Sequence, residues 1–138
     1  MTTRTVYLAR LIGLTVLLCA VGLLVRGNAL IMATVANGPV LLVYAVFSLA
    51  AGLAIILGHN VWSGGTLQVI VTLVGWVIFA RGLVLLLLPA ETLAVLVERM
   101  EYGLHYSLFI VPALILGLYL TYAGFAASLL RLRNPNLR

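Results

Sequence analysis

The chain has 138 residues, 64% hydrophobic and 8% charged, with a formal net charge of +5 and a mean hydropathy of +1.25. A soluble domain runs about half apolar and about a quarter charged. This balance excludes a soluble globular enzyme, a disordered chain and a nucleic-acid-binding module, and it points to an integral membrane protein. Every basic residue is Arg and every acid is Glu. The basic excess would suggest nucleic acid in a soluble protein, but here the arginines fall mostly at the ends of apolar runs, where they set orientation in a membrane.

A spanning helix needs about 20 mostly apolar residues to cross ~30 Å of hydrocarbon. Residues 6–25, 40–57, 67–88 and 108–130 meet that need. The first run, with Arg4 and Arg10 ahead of the apolar stretch 11–25, resembles a signal peptide in outline. It ends at Val25-Arg26-Gly27 without a small-residue cleavage pattern, so it is predicted to stay as a span. Arg26-Gly27-Asn28 closes it and offers Asn28 as the N-cap of a short apolar helix over 29–36. Asn37-Gly38-Pro39 stops that piece and opens the second span. Gly58-His59-Asn60 and Ser63-Gly64-Gly65 make a tight link into the third. Pro89 ends the third span and suits the first position of a following helix.

Residues 90–104 place Leu93, Leu96, Val97, Met100 and Leu104 on one helical face and Glu91, Glu98 and Glu101 on the other. This pattern predicts an amphipathic helix lying along the membrane surface. Pro112 is expected to begin or kink the fourth span. The fold expected is therefore an all-α, four-transmembrane-helix bundle with an interfacial helix, forming one membrane domain over residues 1–138. With both termini inside, Arg4, Arg10, Arg131, Arg133 and Arg138 face the cytoplasm, against Arg26 and Arg99 outside. The bias favours that orientation, with all three glutamates on the outer side. Each half would read span, surface helix, span. A shift of 65 residues sets Gly38 on Gly103, Tyr44 on Phe109 and Gly52 on Gly117, which suggests a parallel tandem duplication of hairpins rather than an inverted repeat.

Inside lipid, helices associate through close packing at small residues. Such stripes run through Thr15, Cys19 and Gly22; through Ser48 and Gly52; through Thr72, Gly75 and Gly82; and through Ala113, Gly117, Thr121, Gly124 and Ser128. They are expected to be helix–helix contact faces. Arg81 is the costliest residue, about 10 Å below the outer end of its span. It must pair, reach water or snorkel to the headgroups. Glu91, Glu98 and Glu101 are its candidate partners, held on the same side by the surface helix. His59, Asn60 and Trp62 form the most distinctive loop, readable as a polar turn with an interfacial Trp anchor or as a contact for a lipid headgroup, cofactor or partner. His59 and His105 fall on opposite sides, so they should not share a haem or metal. The sequence carries no ligand cluster with metal spacing, no phosphate loop and no nucleophile beside a base. Spans free of Asp and Glu argue against a proton-driven carrier. No catalytic residue, metal or cofactor is predicted.

The strings Leu57-Gly58-His59-Asn60-Val61-Trp62, Val71-Thr72-Leu73-Val74-Gly75-Trp76 and Leu116-Gly117-Leu118-Tyr119-Leu120-Thr121-Tyr122-Ala123-Gly124-Phe125 together resemble a group of small, uncharacterised bacterial integral membrane proteins. The resemblance covers most of the chain and implies a four-span layout in the bacterial inner membrane, with no activity attached. The function expected is non-enzymatic: a structural or accessory subunit packing against a larger membrane complex or against copies of itself, in contact with membrane lipids. Two alternatives stand beside it. One is a small transporter or channel with an outer vestibule of Arg81 and the glutamates. The other is a cofactor- or lipid-binding subunit using the His59–Trp62 loop.

Overall fold

A computed structural model describes residues 3–100 and 104–133, with side chains described except at 28, 100, 104–109 and 127–133. Among the described residues the chain is helical and without strands, in the order α1 (Thr3–Arg26), α2 (Asn28–Ala36), α3 (Gly38–Gly58), α4 (Thr66–Leu87), α5 (Ala90–Met100) and α6 (Leu104–Arg133). Three of these, α1, α3 and α4, are long and apolar enough to cross a membrane, and α6 carries a shorter apolar stretch, Ile110–Ala126.

Local chemistry explains the boundaries. Asn37 caps α3 by accepting from the Val40 N–H at 3.3 Å, with Pro39 in the first turn, where its missing N–H costs nothing. His59 closes the same helix through its N–H to the Ile55 carbonyl, 2.7 Å. Between α4 and α5, the Leu88 N–H reaches back to Val84 at 3.0 Å. The Pro89 carbonyl accepts from Leu93 at 3.1 Å, so Pro89 caps α5 from just outside it. Two expectations are corrected here. Asn28 is the first residue of α2 and Gly27 takes the cap position at φ +63°, a conformation that suits a residue without Cβ. Pro112 lies inside α6, which starts at Leu104, so it neither opens that helix nor marks its first turn.

The long helices associate as two antiparallel pairs, α1 with α6 and α3 with α4, while α2 lies against α5. Glycines set the closeness of each pair. A Cβ on Gly52 would run into the Phe79 backbone, one on Gly82 would come within 2.7 Å of the Leu49 nitrogen, and one on Gly117 within 3.0 Å of the Leu17 nitrogen. Exchange of the two halves, α1–α3 for α4–α6, maps the α1–α6 pair onto the α4–α3 pair and the α2–α5 contact onto itself. Gly52 and Gly117, the positions matched by the 65-residue shift, both lie against a partner backbone, although in the α1–α6 pair the closest approach is at Gly13, whose Cβ would stand 2.6 Å from the Thr121 nitrogen. The pairs are joined through a core of Ala9, Ile12, Ile55, Leu67, Val71, Val74 and Leu120, drawn from all four long helices near the α3–α4 turn. At the opposite end, Val35 of α2, Leu41 of α3 and Leu93 of α5 form a second cluster, with Ile31, Leu85, Ala90, Ala94 and Val97 against it.

Two faces differ from the sequence expectation. On α1 the contact side runs through Ala9, Gly13 and Ala20, all buried, whereas Thr15 and Cys19 are exposed and Gly22 has open space around it. Residues 13 and 15 are about 200° apart around a helix, so the two lines of small residues point in opposed directions. On α5, Leu93 is buried and Val97 half-buried, but Leu96 is exposed. The contact edge follows the four-residue spacing of Leu93 and Val97.

Candidate functional site

Among the described residues, three groups of polar side chains tie separate parts of the chain together. The first clasps the α3–α4 turn. Thr72 is fully buried on α4. Its hydroxyl accepts from the Val61 N–H at 3.1 Å, and its hydrogen faces the carbonyls of His59 at 3.2 Å, Val61 at 3.0 Å and Gln68 at 3.1 Å. The single hydroxyl proton serves one of these carbonyls at a time, so the side chain satisfies the Val61 N–H and one carbonyl, and buried backbone polar groups need such partners. The loop then turns through Gly64 and Gly65 at φ +97° and +148°. At Gly64 the backbone conformation requires glycine, while the nearest neighbour of a Cβ there is only the flexible end of Gln68, Oε1 at 2.8 Å.

This arrangement divides the predicted loop site. His59 is only 4% exposed and Gln68 only 8%, and His59 Nε2 and Gln68 Oε1 make no hydrogen bond. Asn60 and Trp62 point outward, with Trp62 57% exposed. The histidine therefore belongs to the interior of the turn, and the tryptophan to its surface. Thr72, taken from the sequence as a packing residue, is instead the clasp of the loop.

The second group centres on Arg81. Its guanidinium donates to the Tyr44 hydroxyl at 2.6 Å and stacks over the same ring, 4.9 Å from the centroid. Tyr44 lies on α3, the antiparallel partner of α4. The residue is thus held by a neutral aromatic through a hydrogen bond and a cation–π contact, and among the described residues its partner is neither Glu91 nor Glu98. Both glutamates are exposed on α5; Glu101 lies outside the described residues.

The third group was not singled out from the sequence. Arg10 lies seven residues into α1, about 10 Å along the helix. Its Nε donates to the Gly124 carbonyl of α6 at 3.0 Å, and the guanidinium stacks 4.7 Å from the Phe125 centroid. Gly124 makes this possible, since a Cβ there would meet Arg10 Cγ at 2.8 Å. The available signal was an Arg inside an apolar run with a glycine-aromatic pair late in α6.

The remaining predicted packing residues sort by contact. Gly75 approaches Ile55 at 2.5 Å, measured from where its Cβ would be. Ser48 and Ala113 are half-buried. Thr121 packs against Gly13, although its hydroxyl has no hydrogen-bond partner. The Ser128 side chain lies outside the described set. Among the described residues no group of three or more His, Cys, Asp or Glu is placed to hold a metal ion. Comparison with family models, curated proteins and solved structures returns no match.

Proposed function

We propose that the chain is a four-span protein of the bacterial inner membrane, with both termini cytoplasmic, that serves as a structural or accessory subunit. In this reading α6 is the fourth span, and the chain is a parallel duplication of span–surface helix–span units. The exchange of partners between its halves supports that duplication. The observation that carries the functional reading is the outward stripe on α1. Thr15 and Cys19 are exposed, and nothing lies within 4 Å of a Cβ on Gly22. In lipid, small residues at four- and three-residue spacing are how helices approach one another closely, and this chain leaves that line unoccupied. The polar groups at Thr72, Arg81 and Arg10 are meanwhile engaged in holding the chain's own turn and helix pairs. A second copy or a helix of a larger complex is the natural occupant of the α1 face.

The test is oxidative cross-linking through Cys19 in native membranes, paired with a native mass spectrum in gentle detergent. A covalent dimer, lost in Gly22→Leu, supports self-association. A stoichiometric co-purifying membrane protein that Gly22→Leu releases supports the accessory role. A monomer alone, unaltered by the substitution, contradicts both.

A further inference from the structure

A groove of about 460 Å³ opens between the start of α1 and the end of α3, lined by Thr3, Arg4, Tyr7, Leu8, Ala54 and Gly58. These helices belong to different antiparallel pairs, so the groove lies along a seam of the bundle. Its chemistry is graded along the helix axes. Arg4 and Gly58 stand at the mouth. Leu8 and Ala54 each lie four residues further toward the middle of their helices, one turn or about 6 Å deeper. In the membrane-spanning reading the mouth lies at interfacial depth, where exposed rings such as Trp62 (57%) and Tyr7 (64%) at this end of the helices gather. Among the described residues this end carries Arg4 and Arg10 but no carboxylate, whereas α5 carries Arg99 together with its glutamates. The α5 glutamates lie at the opposite end of the bundle, beside α2 and the start of α3.

We infer that this groove is a binding site for one anionic phospholipid, its phosphate against the Arg4 guanidinium and the Tyr7 hydroxyl, and an acyl chain along Leu8 and Ala54. A cationic mouth over an apolar wall between two spanning helices complements such a molecule at both ends, and basic pockets between spans are a recurrent way of holding acidic headgroups. Gly58 matters by leaving room, because no atom lies within 4 Å of where its Cβ would be. The inference rests on the membrane-spanning reading and is independent of the α1 stripe.

Native mass spectrometry of the full chain, offered equal phosphatidylglycerol and phosphatidylcholine, tests it. The expected result is a retained phosphatidylglycerol adduct on the wild type. Its preference over phosphatidylcholine falls about fivefold in Arg4→Gln, the scale of one arginine at an anionic surface. The preference is largely kept in Arg4→Lys, lost in Gly58→Leu, which fills the groove, and unaltered in Arg99→Gln, which removes a charge on α5. No preference in the wild type, an equal loss in Arg99→Gln, or no loss in Arg4→Gln overturns the site. Displacement of the lipid by millimolar inorganic phosphate assigns the mouth to a free anion and overturns it equally. Oligomeric state is read from the mass of the protein itself and lipid binding from the adducts, so failure of one reading is distinguishable from failure of the other.

Discussion

Thr72 anchors a turn whose backbone has few partners of its own. With its hydroxyl gone, the Val61 N–H is left in a part-buried place without an acceptor, and a buried unsatisfied group costs about 1–3 kcal/mol. Thr72→Val keeps the shape of the side chain and should lower the Tm in detergent accordingly, whereas Thr72→Ser keeps the hydroxyl and most of the stability. An unchanged Tm in Thr72→Val would mean that the turn holds without its clasp. At Tyr44 the ring and the hydroxyl act separately on Arg81. Tyr44→Phe removes only the 2.6 Å hydrogen bond and should cost about 0.6 kcal/mol, the average for polar contacts between membrane helices. Tyr44→Ala removes the ring as well and should cost more. A double-mutant cycle with Arg81→Leu measures both, and the absence of coupling between the two positions would contradict the pairing. The sequence singled out Arg81 because a charge in an apolar run is conspicuous. It could not name Tyr44 as the partner, since that depends on the register of two helices. For Arg10 the partner lies 114 residues away, and no local pattern joins Arg10 to Gly124.

At the scale of elements, the boundaries were legible because proline, glycine and asparagine punctuate them. The sequence put the second and third spans at 40–57 and 67–88, and the helices run Gly38–Gly58 and Thr66–Leu87. Which face of each helix is used was harder to read. Small residues mark a surface that permits close approach, and α1 has two such surfaces, Ala9–Gly13–Ala20 and Thr15–Cys19–Gly22. The choice between them is made by α6. Gly52→Ala should therefore separate α3 from α4 at Phe79, with the cost of about 1–3 kcal/mol typical of overpacking. Gly22→Ala should be neutral or slightly stabilising within the single chain, since alanine favours a helix by up to about 1 kcal/mol and meets nothing there. Resistance to unfolding in SDS ranks the two variants, and an equal loss in both would refute the assignment of faces. The α5 helix is held at Leu93, which is 5% exposed between α2 and α3. Leu93→Ala should raise amide exchange across α5 while leaving the α1–α6 pair protected. Protection of α5 at wild-type level would show that its docking rests elsewhere.

For the molecule as a whole, the apolar composition already pointed to a membrane protein, and the order of helices followed from hydropathy. The exchange of partners between halves was not visible in the sequence, because a 65-residue shift aligns only a few residues. It is a property of contacts: α1 takes α6 and α4 takes α3, so neither half packs its long helices on itself. Such an arrangement places the α3–α4 turn, with His59 and Trp62, at one end of the bundle and α2 with α5 at the other. If the long helices cross the membrane, those ends are on opposite faces. The direct measurement is cysteine accessibility in intact cells, in a Cys19→Ala background, with a membrane-impermeant thiol reagent. The account predicts that Thr92→Cys, on the exposed side of α5, reacts from outside. Ser63→Cys, in the α3–α4 turn, should react only after the membrane is opened. Reaction of both positions from the same side would contradict the threading of the chain through the bilayer.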